Sequence, residues 1–185
     1  MGAIRMPALV CPILALTYQQ REQADQALER FREKAGEVIL SSEPFAFTHT
    51  QYYEPEMGSA LTKIFYAFAD RIDPTDLIGL KLYSNQIEGH LSLHGRRRVN
   101  LDPGYLEAAK LILATTKNFS HRIYLGQGIY GDVQLYWRDG RFHCNPWTYP
   151  DYQDAATLAF FTRVRENYLT NNGDTPWPSP ISHLA

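Results

Sequence analysis

Apolar residues run almost unbroken from Ala8 to Leu16, the length and density of a buried strand. The wider stretch Met6–Leu16 is too short for a membrane span and carries no small-residue cleavage site, so it reads as part of the fold. Thr17 and Gln20 have capping-box spacing. Ala24, Ala27, Leu28 and Phe31 then recur at helical intervals up to Lys34, with Gly36 as the stop. Val38–Leu40 and Phe45–Thr48 read as a second strand bent at Ser42–Pro44. The stretch Leu61–Ile72 fits a helix or a strand, because its aromatics at 65, 66 and 68 satisfy both periods.

Asp73-Pro74-Thr75-Asp76 is a helix start, with Asp73 as N-cap and Pro74 at the first helical position. Leu77, Leu80 and Ile87 line one face to about Glu88. Arg97–Leu101 reads as a strand, and Asp102-Pro103-Gly104-Tyr105-Leu106 repeats the Asp-Pro-x-x-Leu start, which predicts another short helix. From His121 the period is two: Ile129, Val133, Leu135 and Trp137 alternate with Tyr130, Asp132, Gln134 and Tyr136, as in a half-buried strand. Asp139-Gly140 is a hairpin turn and Arg141–Cys144 the return strand. A last helix covers roughly Asp154–Leu169. Residues 1–170 thus read as a single α+β domain, and 171–185 as a mobile or surface-wrapping tail. The order β-α-β-(β)-α-β is compatible with a ferredoxin-like core (βαββαβ), extended by an antiparallel hairpin and a C-terminal helix.

Composition narrows the class. Apolar residues at 44% and charged residues at 21% exclude disordered and membrane classes, which leaves the cytoplasm as the expected address. A net charge of −2 argues against a surface wholly devoted to nucleic acid. Yet residues 43–76 hold six acids and two bases, whereas 90–122 hold six bases, two acids and three His. If the segments sit apart, the molecule has a basic face. Cys11 and Cys144, with no Cys-x-x-Cys, suggest neither zinc nor a disulfide framework, and read as reduced thiols.

Several constellations could carry chemistry. Glu54 and Glu56 in Tyr52-Tyr53-Glu54-Pro55-Glu56 would face one side of an extended segment. With Asp132 they could hold a hard divalent cation, Mg²⁺ or Mn²⁺, or act as a base; the plain alternative is that they cap the next element. In Arg96-Arg97-Arg98, strand alternation would put Arg96 and Arg98 on the face of Asn100 and Asp102, with Arg97 opposite, a grouping suited to phosphate or carboxylate. Lys117 and Arg122 are candidate anion ligands, and His121 a candidate proton carrier. Tyr124 and Tyr130 could orient a substrate. Gly126-Gln127-Gly128-Ile129-Tyr130-Gly131 precedes a strand, so it reads as a hairpin turn and not a dinucleotide loop, although its amides could cradle a phosphate. Pro146-Trp147-Thr148-Tyr149-Pro150-Asp151-Tyr152 is either an aromatic platform or a rigid cover over the core.

Five separated motifs carry a resemblance: Tyr53-Glu54-x-Glu56-Met57-Gly58; Asp73-Pro74 to Lys81 with Ser84-Asn85-x-Ile87-Glu88; Arg97-x-Val99-Asn100-Leu101-Asp102-Pro103-Gly104-Tyr105; Ala114-Thr115-Thr116-Lys117 through His121-Arg122 to Tyr130; and Pro146 to Tyr152. Over most of residues 8–168 the chain resembles a bacterial family known as a domain of unknown function, sometimes labelled GTP-binding. The resemblance implies a cytoplasmic protein in which these polar motifs are family features. Relatives often carry Ala-Glu where this chain has Gly131-Asp132, which implies that the carboxylate matters more than the third glycine. No G-x-x-x-x-G-K-[S/T] loop accompanies the label.

Three functions are therefore expected in competition. The first is an enzyme or binding protein for a small phosphorylated or carboxylated molecule. The second is an RNA-associated protein using residues 90–122 and the Trp147–Tyr152 aromatics. The third is a homodimeric interaction protein.

Overall fold

The computed structural model describes residues 3–49 and 53–171. Within them one sheet holds β1 (Cys11–Tyr18), β2 (Val38–Ser41), β3 (Phe45–Ala46), β4 (Thr62–Phe68), β5 (Val99–Leu106), β6 (Lys110–Thr115), β7 (Ile123–Gly126), β8 (Ile129–Arg138) and β9 (Arg141–Cys144). The helices are α1 (Arg21–Ala35), α2 (Glu54–Met57), α3 (Leu77–Leu91), α4 (Pro150–Gln153) and α5 (Ala155–Asn171). Strands follow the path β2-β4-β1-β5-β6-β8-β7, with β3 beside β4 and β9 beside β8, every pair antiparallel. The portion β1-α1-β2-β4-α3-β5, in the order β2-β4-β1-β5, is the ferredoxin-like arrangement. Strands β6 to β9 extend it beyond β5.

β1 is buried throughout because it lies between β4 and β5 and is covered on both faces. Its alternate residues therefore enter two cores. Leu14 and Leu16 join Ala24 and Phe31 of α1 and Leu80 and Ile87 of α3. Ile13 and Ala15 join Phe65, Leu106 and Leu111 beneath Phe160, Phe161 and Val164 of α5. The expected start at Asp73 forms, with Asp73 and Asp76 in a reciprocal capping box ahead of α3. Thr17 does not cap α1: it is an interior residue of β1, opposite Lys63 and Asn100. Asp139 and Gly140, both at positive φ, make the expected hairpin turn. Cys11 and Cys144 are free. Among the described residues no helix is long and apolar enough to cross a membrane. The expected tail, apart from Asn171 at the end of α5, lies outside the described residues.

The second Asp-Pro does not start a helix. Asp102 and Pro103 lie inside β5, and the residues expected as a helix form the end of β5 and β6. Leu111 and Leu113 are buried at period two, so tertiary packing overrides the local start signal. Pro103 instead opens the sheet. It has no N–H to continue a ladder, and pairing of β5 with β6 is confined to Gly104, Tyr105 and Leu106. At Gly104 the strands pass so closely that a Cβ would lie 2.3 Å from the Ile112 carbonyl oxygen.

A bulge reshapes the far wall. Leu111 pairs with Leu135 but Ile112 with Val133, leaving Gln134 as an extra residue in β8. The phase shift puts Asp132 on the same face as Leu135. Asp132 and Gln134 are consequently buried, at 1% and 0% exposure, and do not form the half-buried polar face that strict alternation predicts.

Candidate functional site

Where β5 and β6 part, the sheet opens into a cleft of about 420 Å³. Leu101 of β5 has its backbone groups on the open side, and α3 supplies their partners. Lys81 Nζ donates to Leu101 O at 2.9 Å, and Leu101 N donates to Glu88 Oε1 at 2.6 Å. Two charged side chains thus stand in for a missing neighbour strand and satisfy groups that burial would otherwise orphan.

From this edge a hydrogen-bonded chain runs along the wall. Lys81 Nζ also donates to Asp102 Oδ1 at 3.2 Å, and Asn100 Nδ2 donates to Asp102 Oδ2 at 2.7 Å. Arg97 donates to Asn100 Oδ1 at 3.0 Å and forks onto both oxygens of Glu56, at 2.8 and 2.7 Å. Bidentate geometry and opposite charge make the Arg97–Glu56 pair the strongest contact of the chain. It also joins the acidic segment 43–76 to the basic segment 90–122, so these segments meet rather than sit apart.

A second pair is deeper. Lys63 Nζ lies 2.5 Å from Asp151 Oδ2, with both side chains 5% exposed or less, and packs over the rings of Phe47, Phe65 and Tyr152. On the β8 side all three guanidinium nitrogens of Arg122 are engaged. Its Nε donates to Asp132 Oδ2 at 2.8 Å, and its terminal nitrogens donate to Lys117 O at 3.0 Å and Tyr149 OH at 2.8 Å. His121 Nε2 lies 3.5 Å from the same Asp132 oxygen, and its ring stacks on Trp147 at 4.8 Å. Trp147 Nε1 and Asn145 Nδ2 both donate to Val133 O, and Tyr149 N donates to Gln134 Oε1. The segment from Pro146 to Tyr152 is therefore pinned across the bulge as a rigid wall.

Burial pushes the Asp102 carboxyl up, but the Lys81 and Lys63 charges and the Asn100 and Lys81 hydrogen bonds outweigh it. Its pKa lies below the ordinary 3.8. Stability from Asp102 is thus complete above pH 3.8 and is lost as pH falls through the lower folded value. Glu88 has the opposite sign. Burial dominates and raises its pKa above 4.5 despite Lys81, the Leu101 N–H and Arg97, so its ionisation costs stability as pH rises. Asp102→Asn is accordingly expected to flatten the fall in Tm below about pH 4. Melting curves across the acid range check this; an unchanged acid limb would remove Asp102 as its source.

Asn100, Asp102, Lys117 and Asp132 all line the cleft, and Arg122 braces it from Asp132, Lys117 and Tyr149. Arg98 lies elsewhere. The Arg96–Arg98 run precedes β5, so strand alternation does not apply: Arg97 turns toward Asn100, while Arg98 bonds Gln20 beside a separate groove. Glu54 and Glu56 sit on the single turn of α2, not on an extended segment; Glu54 is exposed and Glu56 holds Arg97. Among the described residues no group of three or more His, Cys, Asp or Glu is placed to hold a metal ion, so Glu54, Glu56 and Asp132 do not converge. Tyr124 and Tyr130 pack together at 5.2 Å on the β7–β8 hairpin, outside the cleft wall. Gly126, Gln127 and Gly128, all at positive φ, form the turn of that hairpin.

Reading single motifs for chemistry missed Lys63, Lys81 and Glu88 as site residues. Lys63 and Lys81 each stand alone in an apolar run, Thr62–Phe68 and Leu77–Leu82, and a lone charge inside a core segment was the available signal.

Split sheet, internally compensated carboxylates and wall lysines together define an α+β protein with a charged cleft beside a ferredoxin-like sheet. The chain belongs to the family described as Domain of unknown function (DUF4416), whose model matches residues 8–168. This is the span over which the motifs carry their resemblance. No curated protein and no solved structure matches the chain.

Proposed function

We propose that the cleft between β5 and β6 binds a small phosphorylated or carboxylated molecule, as a binding protein or as the substrate site of an enzyme. The observation that carries this reading is Lys81. The residue is 6% exposed in the cleft wall, yet only two of the three N–H groups of its ammonium meet an acceptor among the described residues. Lys117 approaches from the end of β6. Each acid of the wall has its own compensation: Asp102 has Lys81, Asp151 has Lys63, Asp132 has Arg122, and Glu88 has the Leu101 amide and Arg97. A ligand anion therefore meets ammonium hydrogens beside carboxylates whose charge is already balanced.

The test is thermal melting of the chelator-treated protein against nucleotides, sugar phosphates and carboxylates, with and without Mg²⁺ or Mn²⁺. A ligand at a hundred times its Kd adds about 2.7 kcal/mol, a rise of roughly 5–10 °C for a chain of this size. A flat panel would contradict the reading.

A second reading, self-association, is favoured by one observation. The edge strand β7 exposes Ile123 at 69% and Tyr124 at 59%, beside Phe119 at 64%. Open strand edges of this kind pair with other chains. Light scattering should then give twice the monomer mass, and Ile123→Lys should return it to monomer.

A further inference from the structure

Asp132 is a wall carboxylate with a buried oxygen left over among the described residues. Its cross-strand partner Leu113 also lines the cleft, so Asp132 projects from the cleft side of the sheet. Oδ2 is taken by Arg122 at 2.8 Å, with His121 at 3.5 Å. Oδ1 is buried and has no hydrogen-bond partner among the described residues. A buried carboxylate oxygen in this state calls for a donor, since its lost hydration is otherwise unreplaced.

Charge says which donor. Arg122 already supplies a full positive charge beside Asp132, and Lys117 lines the same cleft. A ligand ammonium would meet two cations; a neutral hydroxyl would meet only the vacant acceptor. The neighbouring wall, Thr115 and Thr116, is itself hydroxylated and suits a polar, uncharged part of a ligand.

We infer that Asp132 Oδ1 accepts a hydrogen bond from a hydroxyl of the bound molecule, and that the ligand is a hydroxylated anion of the sugar-phosphate or hydroxy-acid class. Its anionic group faces Lys81 and its hydroxyl faces Asp132. The inference rests on the reading of the cleft as an anion site.

Matched probes test it: glycerol phosphate against propyl phosphate, ribose phosphate against pentyl phosphate, and glycerate against propionate, titrated calorimetrically into the full chain. The hydroxylated member of at least one pair should bind tighter by roughly tenfold to a hundredfold. Asp132→Ala should erase that preference while leaving the deoxy member's affinity within about threefold. Should the alanine variant fold poorly, Asp132→Asn keeps an oxygen for Arg122, and the preference should shrink to a few-fold. Equal binding within every pair would overturn the hydroxyl contact while leaving the anion site standing. A preference unchanged in a folded Asp132 variant would also overturn it. Absence of binding by every probe would overturn both readings together.

Discussion

Lys63→Met is expected to lose about 3–5 kcal/mol of stability, because it strands Asp151 as a buried, unpaired charge. For a domain of this length that is a fall in Tm of roughly 6–20 °C. Two features put the effect at the upper end for a single substitution. The pair is almost wholly withdrawn from water, and the ammonium also lies 4.9–5.4 Å from the centroids of Phe47, Phe65 and Tyr152. The double variant Lys63→Met with Asp151→Leu should regain most of the loss, since apolar replacement of a whole buried pair is often neutral. A double variant no better than the single one would mean that packing under α4, not the charge, is what Lys63 supplies.

The second large effect concerns binding. Lys81→Met alone would confound three losses, the anion ligand, the partner of Asp102 and the donor to the Leu101 carbonyl, so the more informative variant is Lys81→Met with Asp102→Asn, which cancels the second. It removes the ammonium together with the carboxylate charge that it neutralises. Affinity for whichever phosphorylated or carboxylated compound raises the Tm should fall by about 2–5 kcal/mol, roughly thirtyfold or more. Melting of the free variant should reflect the Leu101 carbonyl left without its donor, a cost of about 1–3 kcal/mol and smaller than that of Lys63→Met. Arg98→Ala, whose guanidinium lies beside the separate groove and bonds Gln20, should bind as the unaltered protein does. Binding lost in Arg98→Ala and retained in the double variant would move the site to that groove.

Much of the fold is legible in the sequence where local signals and tertiary context agree. The apolar run at β1, the Asp73 box ahead of α3 and the Asp139-Gly140 turn all read directly, the first two in the ferredoxin-like core and the turn in its extension. The sequence misleads where one residue type serves two ends. Asp102-Pro103 copies a helix start, but here proline ends a ladder and aspartate meets a lysine from α3. Period-two reasoning fails for Arg97 because the strand begins only at Val99. It fails for Asp132 because a single bulge residue shifts the phase, and a bulge leaves little trace in composition.

For the site, Asn100, Asp102, Lys117, Arg122 and Asp132 are recognisable in the sequence only by residue type; their convergence depends on the gap that Pro103 opens. Lys63 and Lys81 are hidden in apolar segments because their partners, Asp151 and Leu101 with Asp102, are far away in the chain.

The most direct measurement is the amide spectrum of the isotopically labelled protein during titration with ribose phosphate. The account predicts saturable shifts at Leu101, Asp102, Thr115, Thr116, Lys117 and Asp151, the residues around the gap between β5 and β6. Shifts confined to His94, Arg96 and Arg98, or no shift at all, would contradict it.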